Sequence, residues 1–217
     1  MNNREYKTPS LADQVFERLE ADIVMGKYEW GELLNESALS AELSVSVALV
    51  REILQRLKDE RLVQETAEGP VATGLTRKDF EDMCIIRLHI EGLAVRGFIE
   101  YMGAESLEEL KDAVDSQQRY LELGDREHLR AMDSRFHDTI YRNCGSTIFQ
   151  DALAPLHRKL QRYRQLSLSQ SGRAEHSVQE HREIYEAIAA KNANLAEALM
   201  RSHIQNAMRY LLTEKES

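Results

Sequence analysis

Asp133, His137, His181 and His203 are the residues of this chain whose types and spacing best suggest chemistry. Asp133 and His137 are four apart in a run that reads as helix, Met132-Asp133-Ser134-Arg135-Phe136-His137, so their side chains stack on one face. His181 follows Glu180 in a second helical run, Glu180 to Ala190, and His203 lies in a third, Leu195 to Leu212. One carboxylate and three imidazoles form a borderline-soft donor set suited to a divalent metal: zinc first, with nickel, iron or manganese also compatible. His181 and His203 are 22 residues apart, which a single straight helix would stretch to roughly 33 Å. Ligands of one ion lie within about 2 Å of it. The chain must therefore reverse between them, and Lys191-Asn192-Ala193-Asn194 is the natural place, because Asn favours turns. Such a site sits inside an antiparallel helix bundle. The plainer reading is a weak surface ion pair at Asp133/His137 and ordinary polar helix positions at His181 and His203. His176 is near enough to His181 to be a rival ligand, whereas His89, His128 and His157 show no comparable pattern.

The elements that would position these residues follow from composition and periodicity. A chain of 217 residues with 42% hydrophobic and 30% charged residues is an ordinary globular one, large enough for one or two domains. No run has the apolar length of a membrane span, and Met1-Asn2-Asn3-Arg4-Glu5 lacks a signal-peptide core, so no membrane partner and a cytoplasmic location are expected. Cys84 and Cys144 have no partner motif and read as reduced, core or near-core thiols. Three prolines and long 3.6-period runs indicate a mainly α chain.

In the first 75 residues, Leu11, Val15, Phe16, Leu19, Ile23 and Val24 recur at helical spacing behind Ser10 as N-cap, with Gly26 as stop. A short helix follows at about Glu36 to Leu43, with Ala38, Leu39 and Leu43 inward. A third runs from Val47 to about Glu60, capped by Ser46. Arg61 to Thr66 reads as a strand, Glu68-Gly69-Pro70 as a turn and Val71-Ala72-Thr73 as a second strand. Two helices joined by a tight turn and followed by a hairpin make a winged helix-turn-helix, which lays its second helix in the DNA major groove.

The chain resembles the GntR superfamily of bacterial transcription regulators. The matching residues are Leu19, Ile23, Gly26, Gly31, Leu34-Asn35-Glu36, Leu39, Leu43, Val45-Ser46, Val50-Arg51-Glu52, Leu54, Leu57 and Leu62-Val63. The resemblance continues into the FCD type of C-terminal domain, of the fatty-acid-regulator (FadR) branch. It is carried there by Ile86-Arg87, Glu91, Asp133, Phe136-His137, Glu180-His181, Ala187-Ile188 and His203-Ile204, and it covers roughly Ser10 to Tyr210. It implies a winged DNA-binding domain over 1–75 and an all-helical antiparallel bundle over 76–217 that binds metal and effector and dimerises. It implies metal ligation by Asp133, His137, His181 and His203. Arg87 would grip a small carboxylic acid effector, although a salt bridge to Glu91 at i+4 is an equal alternative. The partners expected are double-stranded operator DNA and a second copy of the chain.

The DNA reader departs from the family pattern. Ser44 stands where a Gly is usual, and Val47, Ala48 and Leu49 replace the Arg-Thr-Pro run. Val47 has none of the bidentate contacts an Arg would offer. The first 75 residues hold 8 Lys/Arg against 14 Asp/Glu, a net −6 of the chain's −9, which weakens unspecific phosphate attraction. Ser46 and Arg51, with Arg4 and Lys7 in an N-terminal arm, remain the candidate DNA contacts.

In the second part, helices are expected at about 77–101, 107–123, 126–143, 147–166, 175–191 and 195–213. The first would carry an apolar stripe of Phe80, Met83, Ile86, Ile90, Leu93 and Val95. Two other functions compete with regulation by a ligand. One is a small metalloenzyme using the same four residues to activate water, against which no separate general base is evident. The other is a partner-binding protein with a degenerate DNA reader.

Overall fold

The computed structural model describes residues 10–169 and 172–212. The chain divides into two compact units, Met1–Thr76 and Arg77–Ser217.

In the first unit α1 (Leu11–Val24) starts in a capping box: Ser10 Oγ accepts the Asp13 amide at 3.1 Å, and Asp13 accepts from the Ser10 amide at 3.3 Å. α2 (Glu36–Leu43) is capped by Asn35 and ends at Ser44, whose φ of 55° is left-handed. A glycine would adopt that conformation without strain. α3 (Val47–Asp59) starts from Ser46, whose Oγ accepts the Leu49 amide at 3.2 Å. β1 (Val63–Thr66) pairs antiparallel with β2 (Gly69–Ala72) in the register Val63↔Ala72 to Thr66↔Gly69. Leu19, Ile23, Leu34, Val50, Ile53, Leu57 and Leu62 are sealed between helices and hairpin. Two expectations need correction. Gly69 and Pro70 belong to β2 rather than to a turn; Pro70 still uses its carbonyl, which accepts the Leu34 amide at 2.8 Å. Ala38 is exposed, and Leu39 alone of α2 is buried.

The second unit contains seven helices among its described residues: α4 (Arg77–Tyr101), α5 (Ala104–Glu122), α6 (Arg126–Asn143), α7 (Thr147–Lys159), α8 (Gln161–Ser169), α9 (Arg173–Ala189) and α10 (Ala193–Leu212). Their common core is built on Val95, Phe98, Leu110, Val114, Phe136, Ile140, Ile184, Ile188 and Met200. The single helix expected over 147–166 is two. The break falls at Leu160, five residues past Pro155, while the Leu160 and Arg164 amides still reach the Leu156 and Leu160 carbonyls at 3.0 and 2.9 Å. Hydrophobic period runs through such an interruption, so periodicity could not show it. The reversal between α9 and α10 lies at Ala190 to Asn192. Lys191 is left-handed, with φ 55°, and Asn192 Oδ1 takes the Leu195 amide at 3.2 Å. The stripe expected on α4 also splits: Phe80 and Val95 are buried, but Ile86 and Leu93 face outward, 41% and 44% exposed.

Candidate metal centre

α6 supplies Asp133 and His137, α9 supplies His181 and α10 supplies His203, and all four are buried. The antiparallel α9–α10 pair brings the Nε2 atoms of His181 and His203 to 3.2 Å. One ligand atom from each of His137, His181 and His203 lies within 4.8 Å of the others. Asp133 Oδ1 is 3.9 Å from His181 Nε2, at the edge of the same cluster. His176 is exposed and outside it.

The ring protons follow from the neighbours. Gln117 Nε2 donates to the Met132 carbonyl at 3.2 Å, which turns its Oε1 toward His181 Nδ1 at 2.7 Å. An amide oxygen only accepts, so His181 carries its proton on Nδ1. His203 Nδ1 is 2.7 Å from the Glu180 carboxylate, which also accepts from Arg173 at 3.0 Å and from Asn206 at 2.7 Å. A carboxylate so loaded fixes the His203 proton on Nδ1 as well. Two bare Nε2 lone pairs then face each other across 3.2 Å inside the bundle. That contact is repulsive unless a proton or a cation lies between them. Two imidazoles bound to one tetrahedral zinc stand about 3.3 Å apart, given Zn–N distances of about 2.0–2.1 Å. The side chains present therefore fit a divalent cation.

Electrostatics reinforce this. Burial, with His203 as neighbour, holds the His181 imidazole well below the ordinary histidine range, and burial takes His137 down to about 4 despite Glu91. Both rings are neutral near pH 7, the form that binds metal. Burial alone would raise the Asp133 carboxyl, but Arg164 and the three histidines hold it well below the usual carboxylate range. Asp133 Oδ2 is ion-paired with Arg164 and its other oxygen faces His181. Phe136 stacks on His181 with ring centroids 4.2 Å apart, walling the cluster from the core. His137 Nδ1 lies 3.2 Å from Glu91 Oε2, a contact between two buried groups that holds the ring beside the carboxylate.

Beside the cluster is a cavity of about 20 Å³ lined by Asp133, His137, His203, Arg87, Arg164 and Arg173. Arg87 is ion-paired with Glu91, which Tyr141 also caps at 2.7 Å, and it lines the cavity. Sequence reasoning did not place Gln117, Glu180, Arg173 or His157 in this site. Glu180 had a local signal, adjacency to His181. Arg164 reaches Asp133 from α8, which starts after the break at Leu160. His157 is buried 5.2 Å from His137, ring to ring, and bonded to Arg164.

In the first unit Ser46 is engaged in capping α3. Arg51 is exposed on α3, and its Nε donates to Glu36 Oε2 at 2.7 Å. Arg4 and Lys7 lie outside the described residues.

Known proteins bear on both units. The family described as bacterial regulatory proteins, gntR family, matches residues 11–70, and the FCD domain matches residues 82–206. The uncharacterized HTH-type transcriptional regulator YdhC of Bacillus subtilis is 27% identical over 201 residues, 91% of this chain and 89% of that protein. The gluconate operon transcriptional repressor of the same organism is 28% identical over 141 residues, 65% of this chain and 58% of the repressor. The solved structure of E. coli McbR/YncC shares the fold, with a TM-score of 0.81 at 21% identity, covering 95% of this chain and 99% of that one.

Proposed function

Because the chain belongs to the GntR family of bacterial regulatory proteins and carries the FCD domain, we propose that this DNA-binding transcription regulator takes a divalent metal and a small carboxylic acid in its helical unit. It is a regulator and not an enzyme, as its family and relatives are, and the FCD domain is one associated with metal binding. The metal ligands are Asp133, His137, His181 and His203, with zinc the first choice. The observation that carries this reading is the pair of bare Nε2 atoms 3.2 Å apart, each held in place from behind by Gln117 or Glu180. A bound cation would supply Lewis-acidic positive charge for an anion.

The chain's own residues supply the rest of the anion's environment. Arg87, Arg164 and Arg173 are balanced by Glu91, Asp133 and Glu180, so any cation added leaves the cavity wall positive. That suits a carboxylate, which a guanidinium holds bidentately. A relative is named for the gluconate operon, and gluconate is a small carboxylate. The cavity of about 20 Å³ has room for little more than one water-sized particle. An organic acid would therefore select a more open arrangement of α6, α8 and α10, and that population shift is what would reach the DNA reader. In that reader Ser46 holds the start of α3 and Arg51 makes the contact, with Arg4 and Lys7 on the backbone. The protein works as a cytoplasmic homodimer on two half-sites.

The test uses the full chain. Its metal content is measured by elemental analysis, and its binding to its own upstream DNA by fluorescence anisotropy, with and without zinc and a panel of small carboxylic acids, at several salt concentrations. Stoichiometric metal and DNA retention that changes with one acid are expected. No metal after zinc loading, or DNA retention indifferent to every acid, would overturn the corresponding part.

A further inference from the structure

α4 has two apolar faces, and the second is exposed: Ile85, Ile86 and Leu93 are 45%, 41% and 44% accessible. Along this face Lys78, Asp82, Ile85, His89, Leu93, Arg96 and Glu100 are all exposed, at spacings that keep them on one side of a helix. The order is self-complementary about His89. Four residues to either side are Ile85 and Leu93, both apolar. Seven to either side are Asp82 and Arg96, of opposite charge. Eleven to either side are Lys78 and Glu100, again opposite.

We propose that this face of α4 is where a second copy of the chain docks, antiparallel, with the two-fold axis passing through His89. An isologous interface brings each residue against the one equally far beyond the axis. Here that places Ile85 on the partner copy's Leu93, flanked by Asp82 against Arg96 and Lys78 against Glu100, twice over. The apolar centre gains by burial and the charged ends select this register over a parallel one, which would set like charges side by side. The intrachain pairs now made by the charged residues, Lys78 with Asp82 and Arg96 with Glu197 at 3.1 Å, are exposed and weak, and they leave those groups able to join a network. An unrelated partner protein would have no reason to meet charges balanced in this mirror order. The inference rests on the homodimeric reading above and names its surface.

The experiment measures oligomeric state in the full chain by sedimentation velocity and native mass spectrometry. The wild type is expected to be a dimer. Leu93→Asp changes an exposed side chain, so circular dichroism should be unaltered while the dimer dissociation constant rises about a hundredfold or more. Asp82→Arg and Arg96→Asp should each weaken their own homodimers about tenfold, because each sets like charges face to face. Mixed together, they should form the heterodimer well above the statistical half, since every charged pair is then restored. A dimer that survives Leu93→Asp and mixes statistically overturns this surface but leaves the dimeric regulator intact. A wild type that is monomeric at micromolar concentration overturns both, whereas metal content and acid-dependent DNA retention are unaffected by either result.

Discussion

The proton on His181 is placed by a chain of three groups, since the Met132 carbonyl orients Gln117 and Gln117 orients the ring. Losing the ligand and losing its orienting neighbour should therefore differ in degree. His181→Ala should reduce zinc in elemental analysis to a small fraction of wild type, and full occupancy would remove His181 from the ligand set. Gln117→Leu should retain metal but bind it about 10- to 100-fold more weakly, the usual penalty for an outer-shell partner. The same burial predicts a pH effect on the metal-free protein. The folded-state values of His137, His157 and His181 are depressed, so the unfolded chain binds more protons than the folded one below its own value near 6.5. Stability is then full above pH 6.5 and falls as pH drops toward 4, by on the order of 3 kcal/mol from His137 alone. Urea titrations of metal-stripped protein at pH 7.5 and 5 test this, and a midpoint that does not move would show that these rings are not buried in neutral form.

At the scale of elements, helix ends and helix crossings each rest on single residues. A Cβ added to Gly97 on α4 would stand 2.3 Å from the Cys144 carbonyl at the end of α6, a backbone atom with no room to swing away. Gly97→Ala should cost about 1–3 kcal/mol, the usual range for overpacking, and lower the melting temperature; an unchanged melting temperature would mean that α4 and α6 can separate freely. In the DNA reader, Arg51 is exposed and its partner among the described residues is Glu36, so its removal should not touch α3. Arg51→Ala should abolish operator retention in the anisotropy assay while metal content stays at the wild-type level, and undiminished retention would refute its role. Ser46 is the wrong residue for that experiment. Its alanine variant removes the cap of α3, at about 1 kcal/mol, and mixes folding with recognition.

At the scale of the molecule, the largest core of each unit among the described residues shares no member with the other: one is built on Leu19, Ile53 and Leu57, the other on Phe98, Phe136 and Ile184. Chains built this way seldom unfold as one cooperative unit. Calorimetry should resolve two transitions, and chelation should lower only the one belonging to the helical unit, since a ligand stabilises the core that binds it. Two transitions shifting together would mean that the two cores do not unfold separately. The acidic reader, net −6 over 75 residues, also bears on operator choice. Field attraction to phosphate is weak there, so base contacts must carry more of the affinity.

Element identity was legible along the chain because it depends on near neighbours: caps at Ser10 and Ser46, apolar residues three and four apart, Asn at the reversal before α10. The antiparallel return between His181 and His203 could also be argued from length alone, because one helix is too long to let them meet. What the sequence left open needed contacts between distant positions. Gln117 meets His181 across 64 residues and Arg164 meets Asp133 across 31, and no periodicity records such a pairing. The outward face of α4 was hidden for the same reason. An apolar stripe says that a residue will be covered, while only the packed bundle decides which side is already full.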